Sequence, residues 1–558
     1  ADNIVDEANL KVSNSPTNGY FLSAQSGNTG GLTWAEASAG GATSIDGLSD
    51  GVSNSSNNVG LGSTALDSLT SGADNTALGF NAGTAMTNAR WNTVVGKDAG
   101  LSITGGESNT LIGYRAGRSV STAQKNVFIG DWAGLDATGG NNVAVGHSAN
   151  WGGSAAENTS VGARAMKFNT TGTGNSAVGQ GAMERSTTGT YNTAMGHNSL
   201  NLITTGGYNS GLGQGSLYTN TTGSMNVAVG QGSLYSLTTA DNNTSIGNGA
   251  MYANTTGHSN VALGKTVLSS NTTGVKNTVA GYHAGNLSTT GEQNSFYGHF
   301  SGGQNTTGSF NTAIGNYAYS YATTGTYNVA LGHYALNGGW TNKLTGNHNI
   351  GIGRNSGYNM STANNCVFVG AYAGTANTTG HKNVAVGYGA LQSNTTAGNS
   401  TAVGNGALTT NTTGAGNTAI GYRALVLNTT GASNTAVGKS AMAANTTGSG
   451  TAIGYEALVT NTTGGDNVAV GIHALRYNTT GGSNTAAGQN SLDANTTGND
   501  NVAMGRHALG TNTTGVQNTA LGKAALFANT TAGNNTAVGY NSLFANTTGT
   551  PNTAVGKS

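Results

Sequence analysis

The sequence predicts an all-β fold, a parallel β-solenoid (β-roll) of about 30 coils of 17 residues each. Three observations favour it. Glycine recurs at a fixed spacing over most of the chain. Each repeat also contains short pieces rich in Val, Ile, Leu and Thr, bounded by Gly and Asn, as is typical of strands between turns. No repeat shows the i, i+3, i+4, i+7 spacing of an amphipathic helix.

The composition excludes several classes of function. Charged residues make up 7% of the chain, against roughly 25% in ordinary soluble proteins. Lys+Arg and Asp+Glu are both 20, so there is no basic surface for a polyanion, and we expect no nucleic-acid partner. No apolar run reaches the roughly 18 to 20 residues of a membrane span, so we expect no membrane insertion. The single cysteine, Cys366, excludes an intrachain disulfide.

The first segment, residues 1–56, lies outside the repeat, and the repeat occupies residues 57–558. Asn18-Gly19 and Gly30-Gly31 are turn dipeptides beside two short runs of apolar and aromatic residues. We therefore predict two short strands in an N-terminal attachment or assembly segment, followed by a β-solenoid shaft.

The repeat is defined here on Asn501–Gln517, whose residues are positions 1 to 17. Position 5 is Gly in all 30 repeats, from Gly62 to Gly556. Three spacings are 16 residues and one is 21; they follow Gly130, Gly146, Gly438 and, for the longest, Gly332. The longest spacing contains an inserted loop, Asn337–Lys343. Because the register survives all four irregularities, the repeat must be a structural unit.

A single coil cannot fold alone. One Val and one Leu contribute about 3 to 6 kcal/mol on burial, whereas ordering 17 residues costs roughly 1.5 kcal/mol each. Stacking has to supply the remainder through backbone hydrogen bonds and ladders of identical side chains. We predict Asn ladders at positions 1 and 12, and left-handed geometry at the Gly of positions 5 and 15.

Positions 3 and 4 are both apolar, as in Ala419-Ile420, although successive strand side chains point to opposite faces. This pattern predicts burial on both faces, with Val, Ile or Leu inside the coil and Ala against another chain. We therefore predict a coaxial, fibre-shaped trimer, with a single-chain solenoid as the alternative. On this interpretation the Phe residues at position 3 require a locally wider interface: Phe128, Phe296 and Phe368.

Two sets of motifs resemble known families. The stretch from Asp6-Glu7-Ala8-Asn9-Leu10 to Gly30-Gly31-Leu32-Thr33-Trp34 resembles a segment of tail-fibre and other structural proteins of marine tailed phages, including cyanophages. The Asn-Thr-Ala-Val-Gly, Ala-Leu and Asn-Thr-Thr-Gly repeat resembles those of phage tail fibres. It is also similar to the head coils of trimeric autotransporter adhesins, which are shorter than 17 residues.

These resemblances imply a structural fibre protein of an extracellular assembly, foremost a phage tail fibre that links the virion to host recognition. The implied partners are two further copies in a homotrimer, other tail proteins through the N-terminal segment, and a host cell-surface glycan or protein. The alternative is a bacterial trimeric adhesin or extracellular filament at the cell surface. Ice binding is weaker, because the adjacent Thr513 and Thr514 point to opposite faces if extended.

The titratable residues do not predict chemistry. Glycoside hydrolysis needs two carboxylates across a cleft, and the acids are scattered: Asp131, Glu157, Glu184, Asp241, Glu292, Glu456, Asp466, Asp493 and Asp500. Histidines recur at positions 6 and 7 but lie a coil or more apart: His147, His197, His283, His299, His333, His473 and His507. We therefore predict no enzyme activity and no catalytic, metal or cofactor site.

Position 6 also carries six tyrosines: Tyr114, Tyr282, Tyr388, Tyr422, Tyr455 and Tyr540. They suit either packing between protomers, which we favour, or stacking on sugar rings. The sequence stops inside a coil at Gly556, so we expect the natural product to continue into a tip, a cap or a cleavable chaperone that carries most of host recognition. The Trp340 loop is the exception within this chain.

Overall fold

A computed structural model describes residues 20–24, 32–36, 51–53, 56–341 and 343–557. It confirms the all-β fold and the parallel β-solenoid, with about 29 turns and a repeat of about 17 residues. The chain divides into two compact units, residues 1–225 and 226–558. Among the described residues there is no helix with the length and hydrophobicity that crossing a membrane requires.

The described residues of the first unit form fifteen strands. They are β1 (Tyr20–Ala24), β2 (Leu32–Glu36), β3 (Gly51–Ser53), β4 (Val59–Leu61), β5 (Thr76–Leu78), β6 (Thr93–Val95), β7 (Thr110–Ile112), β8 (Val127–Ile129), β9 (Asp136–Ala137), β10 (Val143–Val145), β11 (Gly152–Gly153), β12 (Thr159–Val161), β13 (Ser176–Val178), β14 (Thr193–Met195) and β15 (Ser210–Leu212). The antiparallel pair β1 and β2 matches the two short strands predicted near the N-terminus. Their predicted turns lie outside the described residues.

In the second unit the part of the chain that the structure describes forms twenty strands. They are β16 (Val227–Val229), β17 (Thr244–Ile246), β18 (Val261–Leu263), β19 (Thr278–Ala280), β20 (Ser295–Tyr297), β21 (Thr312–Ile314), β22 (Val329–Leu331), β23 (Ile350–Ile352), β24 (Val367–Val369), β25 (Val384–Val386), β26 (Thr401–Val403), β27 (Thr418–Ile420), β28 (Thr435–Val437), β29 (Gly450–Ile453), β30 (Asn467–Val470), β31 (Thr485–Ala487), β32 (Val502–Met504), β33 (Thr519–Leu521), β34 (Thr536–Val538) and β35 (Thr553–Val555).

Strands of neighbouring coils pair in parallel and in register, so each residue lies beside its counterpart one repeat away. Thr401, Ala402 and Val403 pair with Thr418, Ala419 and Ile420. Because the register equals the repeat length, every interior side chain meets a residue of its own position. The repeat length therefore determines which residues of neighbouring coils are paired.

The interior of a coil is lined by positions 3, 8 and 9. Ala503, Ala508 and Leu509 are fully buried, whereas Met504 at position 4 is 48% exposed. The prediction that position 4 fills the coil and that Ala faces another chain is therefore wrong. Strand alternation places only one of the two adjacent residues inside, and the narrow coil admits the smaller one.

Larger residues at position 3 are accommodated within the same coil. The three Phe residues at this position are completely buried, so no wider interface between chains is needed. Each shares its coil with Gly at position 9, where most coils have Leu: Gly134, Gly302 and Gly374. A Cβ added at Gly302 would lie 2.5 Å from the ring of Phe296. A larger side chain at position 3 is therefore compensated by Gly at position 9, so that the side-chain volume inside the coil is conserved.

Glycine at position 5 is required for two reasons. Gly404, Gly421 and Gly438 have φ values of 138°, 135° and 140°, which confirms the predicted left-handed region. A Cβ on Gly421 would also lie 2.5 Å from the carbonyl oxygen of Gly438 in the next coil. Position 15 differs, because Gly515 does not have positive φ; a Cβ there would overlap the carbonyl of Ala532. The left-handed prediction for position 15 is therefore wrong.

The predicted asparagine ladders are confirmed at both positions. At position 1, the Oδ1 of Asn484 accepts hydrogen bonds from the backbone N–H and the Nδ2 of Asn501, each at 3.0 Å. At position 12, ten consecutive Asn-to-Asn hydrogen bonds run from Asn377 to Asn546. These amides satisfy one another inside an otherwise apolar interior, which avoids the cost of burying them unpaired.

Candidate functional site

An apolar stripe runs along the outside of each unit at position 4. This position carries an apolar or aromatic residue in all 30 repeats. The side chains are between one third and one half exposed in many coils, for example 41% at Ile246, 47% at Ile314 and 40% at Ile420. These side chains do not contribute to the interior of the coil, which positions 3, 8 and 9 line.

A column of stacked aromatic rings occupies positions 6 and 7 in part of the second unit. The ring of Phe300 stacks on His283 at 5.0 Å and on Tyr317 at 5.2 Å, with interplanar angles of 13° and 7°. Tyr317 stacks in turn on Tyr334 at 5.2 Å. The rings cover one another's faces, so the column presents mainly ring edges outward.

The inserted loop of the 21-residue repeat lies near this column. Trp340 at its tip is 74% exposed and contacts the ring of Tyr321 edge-on at 5.4 Å. In the preceding coil Ala322 replaces the Asn of position 12, and the buried Tyr319 takes over its role. The Tyr319 hydroxyl donates to the carbonyl of Gly325 at 3.0 Å and accepts from Asn328 at 2.8 Å. Tyr319 thus keeps the Gly325 carbonyl paired in the coil that lacks the position 12 Asn.

The six tyrosines predicted at position 6 all point outward, with exposures from 37% at Tyr114 to 58% at Tyr388. Several are covered by a cation: the guanidinium of Arg115 lies 4.9 Å from the centre of the Tyr114 ring. Lys439 lies 5.5 Å from Tyr455 in the same way. Tyr388 and Tyr422, two coils apart, line one surface cleft of about 270 Å³. The geometry of the six tyrosines is compatible with both predicted roles.

Several of the acids and histidines singled out from the sequence contact one or two neighbouring side chains. Asp131 lies 3.8 Å from His147, and Glu456 lies 3.4 Å from His473 and 3.1 Å from Arg476. Glu184 pairs with Arg164, and Asp466 accepts a hydrogen bond from Ser449. In the part of the chain that the structure describes, no three His, Cys, Asp or Glu side chains are grouped to hold a metal ion.

Two of these groups have shifted pKa values. Burial raises the pKa of Asp493, opposed by the nearby Arg476, His473 and His507. Burial, reinforced by Lys265, lowers the pKa of His283, which keeps that ring neutral within the aromatic column. Both shifts follow from packing within and between coils.

The short repeats contain buried polar atoms that have no hydrogen-bond partner in the protein. Around Gly146 these are the Nε1 of Trp132, the Oγ of Ser148 and both amide atoms of Asn150. In the short repeat after Gly438 the amide of Asn434 is unpaired as well. There Gly450 replaces the next Asn of position 1, so the ladder has lost a member.

A surface cleft lies at the short repeats of the first unit, and sequence reasoning missed it. It is lined by Trp151, Gly152, Gly153, Lys167, Phe168, Asn169 and Thr170. The available signal was the pair of consecutive 16-residue spacings that contain Trp132 and Trp151. No family model matches the chain, and no curated protein has a matching sequence.

Proposed function

We propose that this chain is a structural fibre protein of an extracellular assembly, foremost a phage tail fibre, and that it acts as a homotrimer. The observation that carries this proposal is the outward apolar stripe at position 4. Three copies with their stripes facing a common axis would remove it from water. The alternative identity is a trimeric adhesin or extracellular filament of a bacterial surface.

The composition of the stripe supports self-association. Position 2 of the same strands is Thr, Ser, Val or Ile, so the fold tolerates a hydroxyl on this face, yet position 4 never carries one except Tyr297. A solvated position would be expected to drift toward polar residues over 30 repeats. Its consistent apolar character is typical of a surface that another chain covers.

The continuity of the stripe also supports an interface. In the second unit, position 4 is apolar or aromatic in every coil from Val229 to Val555. Contiguous exposed apolar surface is typical of sites that another protein covers. The low charge of the chain, 7%, adds little electrostatic repulsion between copies.

The place of the chain in an assembly rests on resemblance. The N-terminal segment supports a virion, in which it would join other tail proteins, and the repeat style supports either a virion or a bacterial surface. Under the first identity the fibre would lead to recognition of a host cell-surface glycan or protein. Labelling the chain with antibody on intact particles, or on cells, distinguishes the two locations.

Oligomeric state is the direct test. Native mass spectrometry of the full chain should give a trimer, and a stable monomer at micromolar concentration would contradict the proposal. The variant Val403→Lys/Ile420→Lys/Val437→Lys places charges on three adjacent coils of the stripe. It should dissociate at lower denaturant concentration than the wild type.

The matched control is Thr413→Lys/Thr430→Lys/Thr447→Lys, which adds the same charges in the same coils at the exposed position 14. It should leave the trimer unchanged. Equal weakening by both variants would show that added charge, and not loss of the stripe, disrupts the assembly.

A further inference from the structure

The cleft of the first unit is produced by two consecutive short repeats. Its volume is about 290 Å³. Positions 11 and 12 of its central coil are Gly152 and Gly153, so two side chains are missing from its floor. Asn169 and Thr170 of the next coil close it. A concave site of this size suits one or two rings of a small ligand.

Aromatic rings form the walls of the cleft. The Trp151 indole is held in place because its Nε1 donates to the Oδ2 of Asp136 at 3.1 Å. The Oδ1 of that carboxylate accepts from Ser119 at 3.0 Å. Phe168, which also lines the cleft, is 50% exposed. The Trp151 ring is therefore held in place by the protein itself.

A cation lies at the rings without an acidic partner. The Nζ of Lys167 is 4.7 Å from the centre of the Trp151 ring and 5.1 Å from that of Phe168. Among the ion pairs of the described residues, none includes Lys167. A half-buried ammonium beside apolar walls is complementary to a ligand that combines an apolar ring face with a negative charge.

We propose that this cleft binds an acidic saccharide, with a sugar ring against the aromatic walls and its carboxylate on Lys167. One ammonium matches a monoanionic carboxylate. A phosphate group usually takes several cations, an arginine fork or a helix N-terminus, and the residues lining the cleft include none of these. The choice of a saccharide as the ligand rests on the proposed attachment function. The geometry of the cleft is independent of that function.

The stacked column near Trp340 is a weaker candidate for a ligand. Its rings stack on one another along positions 6 and 7 and present mainly their edges outward. The Trp340 indole is exposed at the tip of its loop and contacts the Tyr321 ring edge-on. The cleft differs because two rings and a cation converge on one concave volume.

Binding is measured by isothermal titration calorimetry on the full chain, with oligogalacturonate, oligoglucuronate and sialyl-oligosaccharide as probes. Each acid is compared with its methyl ester, which has the same rings without the charge. At least one acid should bind at least tenfold more tightly than its ester, and its affinity should fall with added salt. Failure of all three acids to bind at millimolar concentration would overturn the proposal, as would equal affinity for acid and ester.

Two variants locate the site. Gly152→Leu should reduce the affinity at least tenfold by filling the cleft. A Cβ there would meet only the Cβ of Asp136 at 3.5 Å, an ordinary contact, so the coil should fold normally. Lys167→Gln should remove the preference for acid over ester. The control, Lys523→Gln, removes a lysine that packs over Tyr540 in the same manner and should change neither value.

Native mass spectrometry of the same variants separates this inference from the proposed function. If Gly152→Leu and Lys167→Gln remain trimeric and bind as tightly as wild type, the cleft assignment is wrong and the fibre proposal stands. A monomeric wild type that still binds the acid in a Gly152-dependent manner would overturn the fibre proposal alone.

Discussion

The coils between Asn377 and Asn546 differ sharply from the two short coils that follow Gly130 and Gly146. In the former, position 12 is Asn in every coil and the amides bond continuously. In the latter, position 12 is Ala137 or Gly153, and several buried polar atoms have no protein partner.

The difference shows what repetition does for this fold. A side chain whose hydrogen-bond partner is its own counterpart in the next coil is satisfied only while that counterpart is present. The position 12 ladder continues through the 16-residue spacing after Gly438, where Asn461 donates to Asn445 at 3.2 Å. It is absent where Ala137 and Gly153 replace Asn, and there the smaller residues leave a concave surface.

The largest effect is expected from Gly421→Val, which breaks a uniform coil. Valine would combine a disfavoured positive φ with overlap on the Gly438 carbonyl, at a cost of about 3 kcal/mol or more. Denaturant unfolding measures the change. The control Thr418→Val, a residue found at position 2 in other coils, should lie within about 0.5 kcal/mol of wild type.

Asn445→Leu breaks the position 12 ladder. Asn445 donates to Asn428 at 2.9 Å and to Gly448 at 3.0 Å, and accepts from Asn461 at 3.2 Å. The substitution leaves buried hydrogen-bond partners unpaired in the two neighbouring coils, so we expect the free energy of unfolding to fall by about 2 to 3 kcal/mol. A shift in the denaturation midpoint reports it, and a neutral result would show that the ladder adds nothing. Thr447→Ala on the exposed edge serves as control.

Asn150→Leu sharpens the comparison, because the same substitution should stabilise an irregular coil. Asn150 is 1% exposed with its amide unpaired, and its φ of 43° is close to that of Leu509 at the same position, 50°. We expect the free energy of unfolding, measured by denaturant unfolding, to rise by about 1 to 2 kcal/mol. Destabilisation comparable with that of Asn445→Leu would mean that the amide is satisfied in solution.

The smallest effect at neutral pH concerns Cys366, which replaces Asn in the position 1 ladder. Burial raises the pKa of its thiol to about 11. The folded state therefore favours the protonated thiol; its stabilising contribution is complete below pH 9 and is lost as the pH rises toward 11. Native protein should react slowly with a thiol reagent at pH 8, and urea should restore rapid labelling. Rapid labelling without urea would contradict this.

Much of the fold could be predicted from the sequence because the period fixes the register. The recurrence of position 5 Gly predicted parallel stacking and a left-handed backbone, and the Asn residues at positions 1 and 12 predicted the ladders. Which strand face lies inside could not be predicted from Ala419-Ile420, since both are apolar. Steric volume decides it, and the relevant evidence was the pairing of Phe at position 3 with Gly at position 9.

The candidate site was harder to predict. The sequence drew attention to Trp340 and to the tyrosines of position 6, which the structure places outward, with Tyr388 and Tyr422 around a shallow cleft that contains no second cation and no tryptophan. Trp151 belongs to one coil and Lys167 and Phe168 to the next, and their convergence depends on how the chain closes two short repeats. Spacing reveals that those repeats are irregular, but it does not give the direction of the side chains around them.

The exchange of contacts between counterparts has an evolutionary consequence. A coil such as Asn501–Gln517 contacts each neighbour through residues at the same repeat positions. Adding or deleting one whole repeat within the uniform coils therefore preserves the contacts between the remaining coils. Gene duplication or deletion in multiples of the repeat is then nearly neutral for folding. The number of coils can therefore change during evolution, and selection can act on that number without passing through variants that misfold.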